Sequence, residues 1–138
     1  MRDNAFIDTN ILVYAKLAED NESNKNKAAN ELLKNTENEF IISVQVLNEF
    51  SNVLLRHKIA DKIVQRTVEE IIKGCVVVPI DLNTVLNVWE IKKKYGFSYW
   101  DSMIVSSALE SRCTVLYSED MQNGQIVEKQ LKIINPFL

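Results

Sequence analysis

The sequence predicts an α/β protein, a three-layer α/β/α sandwich around a central five-stranded parallel sheet, on three observations. Short apolar runs alternate with segments of helical periodicity along the whole chain. Strands separated by helices require crossover connections, which are right-handed and lay helices on both faces of a parallel sheet. No internal repeat, low-complexity tract or linker interrupts the alternation. The 138 residues, 46% hydrophobic and 25% charged, then fit one domain over 1–138 with a single core.

Taken in order, residues 5–7 form the first brief buried strand, and Ile11-Leu12-Val13-Tyr14 begin a helix after it. Residues 19–27 and 34–39 are polar without a core pattern, and are expected as a surface loop and a helix-to-strand turn. Residues 40–42 form the second strand. Ser43 then opens a helix with Val46, Leu47, Phe50, Val53 and Leu54 on its apolar side. Ile63, Val64, Thr67, Val68, Ile71 and Ile72 follow the i, i+3/i+4 rule, with Asp61 as N-cap and Gly74 as the stop. Residues 75–78 form the third strand. Leu82, Val85, Leu86 and Trp89 repeat the helical pattern as far as Gly96. Residues 114–117 and 131–134 supply the last two strands.

Composition narrows the function classes. Sixteen Lys and Arg against nineteen Asp and Glu give a net charge of −3 and a pI near 5.2. A constitutive DNA coater is normally basic, whereas a nuclease with acidic charge in a metal site fits. A single histidine excludes any one-chain site that needs two imidazoles, including the common zinc hydrolase sites. That residue, His57, lies in Arg56-His57-Lys58 near a helix end and is assigned to solvent. Cys75 and Cys113 form no CxxC pattern and stand at the entrances of strands, so they are expected to be buried free thiols in a reducing cytoplasm. No apolar run approaches membrane-spanning length. Asp8 and Asn10 interrupt the apolar start too early for a signal peptide.

Lys92-Lys93-Lys94 closes a helix, where cations favour the C-terminal end of the macrodipole. The looser group Arg56, Lys58, Lys62 and Arg66 suits either phosphate contacts or a solvated face.

Ligands in open parallel sheets bind beyond the carboxyl ends of the strands, where strand order reverses. The residues that follow the strands are therefore the ones to inspect. Asp8-Thr9-Asn10 follows the first strand and Ser118-Glu119-Asp120 the fourth, while Glu49 and Asp101 sit inside helical segments. Each acid also has a structural explanation. Asp8 is placed to cap a helix, although Thr9 or Asn10 would serve without charge beside the sheet. Glu49 lies past the first turn after Ser43, and an exposed helix flank accounts for it. Asp101 completes a capping box with Ser98, and Asp120 is an ordinary turn acid. Together the four suggest one site. Clustered carboxylates repel and raise one another's pKa unless a cation sits among them, and oxygen-only ligands favour Mg²⁺ or Mn²⁺.

Four segments then carry a resemblance: Phe6-Ile7-Asp8-Thr9-Asn10-Ile11-Leu12, Ser43-Val44-Gln45-Val46-Leu47-Asn48-Glu49-Phe50, Tyr99-Trp100-Asp101-Ser102-Met103-Ile104-Val105 and Leu116-Tyr117-Ser118-Glu119-Asp120-Met121. In this order the chain resembles the PIN-domain ribonucleases, most closely the small VapC-like toxins of toxin–antitoxin pairs. The resemblance implies a sheet of order 3-2-1-4-5 and an acidic Mg²⁺ site of Asp8, Glu49, Asp101 and Asp120, with Asp8 and Asp101 as direct ligands. Asn10 and Ser118 would hold carboxylates or water around them. It further implies cleavage of RNA, a homodimer, and an antitoxin that blocks the site.

Two other readings compete. Haloacid-dehalogenase-like phosphatases use a strand-end D-x-D, but Asn10 stands here in place of its second Asp. A catalytically silent PIN fold that only holds a partner would not need its four acids intact.

Overall fold

A computed structural model describes residues 3–17 and 23–138. The part of the 19–27 stretch up to residue 22 lies outside the described residues. The remainder forms an α/β sheet structure of alternating elements, β1 (Asp3–Ile7), α1 (Thr9–Lys16), α2 (Ser23–Leu33), β2 (Asn38–Ser43), α3 (Val44–Arg56) and α4 (Asp61–Gly74). It continues through β3 (Val76–Val78), α5 (Leu82–Tyr95), α6 (Tyr99–Glu110), β4 (Val115–Tyr117), β5 (Ile126–Val127) and β6 (Leu131–Ile134).

The sheet order is β3-β2-β1-β4-β6-β5. Every pairing from β3 to β6 is parallel, so the five sequence-predicted strands take the expected order. The sheet nevertheless has six strands. The extra one, β5, covers the edge of β6 in the antiparallel sense. Two residues carry no readable alternation, so nothing in the sequence marked it.

Because β1 is flanked by β2 and β4, strand order reverses at its carboxyl end. Ile7 pairs with Tyr117, and Asp8 N–H donates to the Tyr117 carbonyl at 3.1 Å. The next residues of the two strands, Asp8 and Ser118, therefore emerge side by side.

Helices pack on the sheet in two groups: α1 lies against α2 and α3, with α4 on α3, while α5 pairs with α6. The core joins Ala5, Phe6 and Ile7 of β1, Ile41 and Ile42 of β2, Leu116 of β4, and Val46, Phe50, Ile104 and Val105 from the helices. Ser43 caps α3 as predicted, its hydroxyl accepting from Val46 N–H at 3.4 Å. Val46, Phe50 and Leu54 of that helix are buried.

Several expectations are corrected. Residues 23–27, expected as loop, begin α2. Its residues are mostly polar, and it is held to α1 by side-chain amides: Asn26 Nδ2 donates to the Tyr14 carbonyl at 2.7 Å and Asn30 Nδ2 to the Ala15 carbonyl at 3.1 Å. Asp61 is the first helical residue of α4 rather than its cap, which is Ala60 without a side-chain bond. Ile63 and Ile72 of α4 face outward.

In α5 the helix forms as read and ends at Gly96, but the residues that carried its pattern are not its buried face. Leu82, Leu86 and Trp89 are 73%, 56% and 57% exposed, while Thr84, Val88 and Ile91 are the buried face. An apolar stripe shows which side of a helix avoids water, but not whether this chain or another covers it. Gly96 ends α5 with φ of 76°, a left-handed cap that glycine adopts without steric cost. Both cysteines are free. Cys113 is buried, which pushes its thiol up to about 12, but Cys75 is only half-buried, since the strand it precedes lies at the sheet edge. Among the described residues, no helix is long and apolar enough to cross a membrane.

Candidate active site

The four acids singled out in the sequence, Asp8, Glu49, Asp101 and Asp120, all line one pocket of about 250 Å³ together with Asn10 and Arg56. Each reaches it by a separate local device. Asp8 ends β1 and holds the N-cap position of α1, where one carboxylate oxygen accepts from Thr9 N–H at 2.7 Å. The other oxygen accepts from the Ser118 hydroxyl at 2.8 Å, across the strand pair. Ser118 Oγ in turn accepts from Asp120 N–H at 3.2 Å, so one hydroxyl links two acids.

Asn10, in the first turn of α1, donates through Nδ2 to Asp120 Oδ2 at 2.8 Å. Asn10 and Ser118 thus hold carboxylates, as expected. Asp101 lies in the first turn of α6, where its N–H donates to Ser98 Oγ at 3.1 Å. That half of the predicted capping box is formed, and the acid faces the pocket as well. The structural and the functional readings of Asp101 are compatible.

Glu49 is fixed by two residues the sequence did not single out for that work. Thr9 Oγ1 donates to Oε2 at 2.8 Å and Gln45 Nε2 donates to Oε1 at 2.6 Å. Gln45 sits one turn before Glu49 on α3, an i, i+4 pair visible in the sequence. Thr9 is 40 positions away, and only the adjacency of β1 and β2 brings it there. Arg56, left in the sequence as a loose basic residue, puts a cation at the pocket's edge. His57 is exposed, with Nδ1 2.9 Å from the Val53 carbonyl.

The electrostatics are those of a crowded set of acids. Burial pushes Asp8 up to about 6, against the lowering effect of its Ser118 and Thr9 bonds, and the charges of Asp101 and Asp120 add to the rise. Burial also raises Asp101, followed by the charge of Asp120 and, more weakly, that of Glu49. Asp120 is raised by burial and then by Glu119, which is itself ion-paired with Lys25. Among the described residues, no three His, Cys, Asp or Glu side chains converge closely enough to encase a metal ion by themselves.

The PIN domain family matches residues 5–124, a span that takes in all four acids. The chain belongs to the PIN-domain family. Solved structures show the same fold. A toxin–antitoxin complex from Klebsiella pneumoniae superimposes with a TM-score of 0.73 at 17% identity, covering 96% of this chain and 97% of that one. VapC20 of Mycobacterium tuberculosis, described as a sarcin–ricin loop cleaving toxin, gives 0.69 at 17% identity over 84% of this chain and 89% of that one. VapBC2 from Rickettsia felis, bound to a DNA fragment from its promoter, gives 0.64 at 18% identity over 96% and 99%. No curated protein matches the sequence. In this PIN domain Asp8 and Ser118 meet at the strand reversal, and the Ser118 hydroxyl joins Asp120 to them.

Proposed function

We propose that this PIN domain is a metal-dependent endoribonuclease and the toxin of a toxin–antitoxin pair. The observation that carries the proposal is the convergence of four carboxylates, from segments more than 100 residues apart in the chain, on one pocket at the strand reversal. Three of the four are held above their ordinary proton affinity. Such a set calls for a hard cation. Mg²⁺ suits it without a tight protein cage, because it keeps several waters and takes one or two carboxylates with substrate oxygens. Mn²⁺ takes the same donors. Asp8 and Asp101 are the direct ligands in this reading, with Glu49 and Asp120 completing the site directly or through water. When bound, the cation supplies an acidified water and stabilises charge on a phosphoryl oxygen.

The chain's own residues do the rest. Thr9 and Gln45 each occupy one oxygen of Glu49, fixing its carboxylate plane. Ser118 and Asn10 hold Asp8 and Asp120 in place at the pocket. A carboxylate so held orients the attacking water and takes its proton. Arg56 offers the cationic fork that suits a phosphodiester. Asn10 is engaged with Asp120, so the general acid of an aspartyl-phosphate phosphatase has no counterpart here. The antitoxin and the second copy of a homodimer are the partners proposed, and exposed Leu82, Leu86 and Trp89 on α5 provide apolar surface for a protein contact.

The test is incubation of single-stranded RNA with the purified chain under Mg²⁺, Mn²⁺ or excess chelator. Cleavage with either metal and none in chelator is the expected result. Full activity in chelator overturns the metal, and intact RNA under every divalent cation overturns the nuclease.

A further inference from the structure

Beside the acids lies a second, larger pocket of about 500 Å³, within the roughly 300–1,000 Å³ range of small-molecule sites. Val44, Ile80 and Met103 give it apolar walls, and it shares Glu49 and Trp100 with the acid pocket. We propose that this pocket is a nucleobase subsite: the base flanking the scissile phosphate stacks on Trp100. The proposal rests on the nuclease reading and adds to it where the substrate's base is held.

Two independent observations point to a base. The first is Trp100, which is 61% exposed and yet braced. Tyr99 meets its ring edge-on at 5.2 Å, and Trp89 meets Tyr99 at 5.4 Å. A fixed, exposed indole at the mouth of a phosphodiester site is a stacking platform, and stacking tolerates any base because every base has a π-face.

The second is the continuity of the two pockets, which share Glu49 and Trp100. A chain with its phosphate in the acid pocket passes its neighbouring base across Trp100.

The probes are an adenine RNA nonamer and an abasic ribose-phosphate nonamer. Their affinities are measured by fluorescence anisotropy with Ca²⁺ in place of Mg²⁺ to hold the phosphates at the acids, and electrophoresis confirms that the RNA is uncut. Base–aromatic stacking predicts that Trp100→Ala weakens adenine RNA binding by about 5- to 160-fold, that Trp100→Phe restores most of it, and that the abasic strand binds wild type and Trp100→Ala alike.

Unchanged RNA affinity in Trp100→Ala overturns the subsite. So does no RNA binding by the wild type, or equal loss for the abasic strand. A changed oligomeric state on sedimentation with unchanged RNA binding reassigns the pocket to an interface between copies. Cleavage is assayed separately with metal, so a protein that binds bases without cutting RNA refutes the nuclease and keeps the subsite.

Discussion

Among the described residues, two aspartates cap helices with their side chains, and they are opposites. Asp8 caps α1 and Asp81 caps α5. Asp81 lies on the surface, where Thr84 N–H and the Thr84 hydroxyl both donate to its Oδ1 at 3.1 and 3.0 Å. Its own N–H donates back to Thr84 Oγ1, completing a capping box. These bonds hold its carboxyl below the usual value. Asp8 accepts two bonds of similar length, but burial outweighs them and takes it up to about 6. A structural cap is comfortable as an anion. Asp8 is not, and the fold retains it at the strand reversal, at the centre of the polar network.

The sharpest test of that contrast is Asp8→Asn. If Asp8 is a metal ligand, losing several kcal/mol of transition-state stabilisation lowers RNA cleavage by about 10²- to 10³-fold. Stability should move the other way. A carboxyl raised in the folded state contributes stability that is fully present below the ordinary value of 3.8 and is lost as pH rises through about 6. The metal-free wild type therefore gives up about 3 kcal/mol across that window, and Asp8→Asn flattens it. Denaturant melts from pH 3.5 to 7.5 in chelator read this directly. A variant that is no more stable than wild type at pH 7.5, relative to pH 3.5, removes the strain assigned to Asp8.

Asp101 stands between the two types, since it is in the first turn of a capped helix and also at the pocket. With Mg²⁺ at about 100 times its dissociation constant, the wild type should gain about 2.7 kcal/mol. Asp101→Asn should gain much less, while its metal-free form is as stable as wild type or more so, because one of several repelling carboxylates has gone. An unchanged Mg²⁺ increment together with full cleavage would return Asp101 to the role of helix residue alone.

Asp8, Asn10 and Ser118 were legible because each lies in a segment that directly follows a strand and because the resemblance to PIN domains implied the sheet order that puts those strand ends together and the roles of Asn10 and Ser118. What their burial does was not legible. Asp8 is 6% exposed, which its place after a strand did not reveal. Thr9 was legible only as a possible cap, since its bond to Glu49 exists only once β1 and β2 pair. The buried face of α5 was not legible for a different reason. Hydrophobic periodicity records avoidance of water, and Leu82, Leu86 and Trp89 carry that signal without burial in this chain. The polar helix α2 carries almost no such signal, and its amide bonds to α1 carbonyls depend on tertiary placement.

Ser118→Ala asks how much of the Asp8 environment belongs to its neighbour. The change removes the hydroxyl that donates to Asp8 and accepts from Asp120 N–H, leaving a buried carboxylate oxygen without that donor. Groups that orient metal ligands typically account for about 10- to 100-fold in activity or metal affinity. Cleavage should fall by that amount, and the pH at which metal-free stability declines should move upward, because a bond that favoured the anion is gone. Wild-type cleavage in this variant would show that Thr9 N–H alone suffices to hold Asp8.

The smallest effect should come from Asp81→Ala, which removes a cap of the structural kind. Thr84 keeps its bond to Glu110 at 2.9 Å, so the contact between α5 and α6 survives. Loss of a surface cap should lower Tm by about 3–5 °C, leaving cleavage and the Mg²⁺ increment unchanged. The pH signature should be the reverse of that of Asp8. A carboxyl lowered in the folded state contributes stability present above its ordinary value and lost as pH falls through the folded one. Asp81→Ala should therefore converge with wild type below about pH 4 and fall short of it at neutral pH, while Asp8→Asn diverges upward from wild type between pH 4 and 6. Paired melts of the two variants across both windows test the contrast at once. If Asp81→Ala reduces cleavage, or if the two curves bend the same way, then burial at the strand reversal is not what separates the two acids.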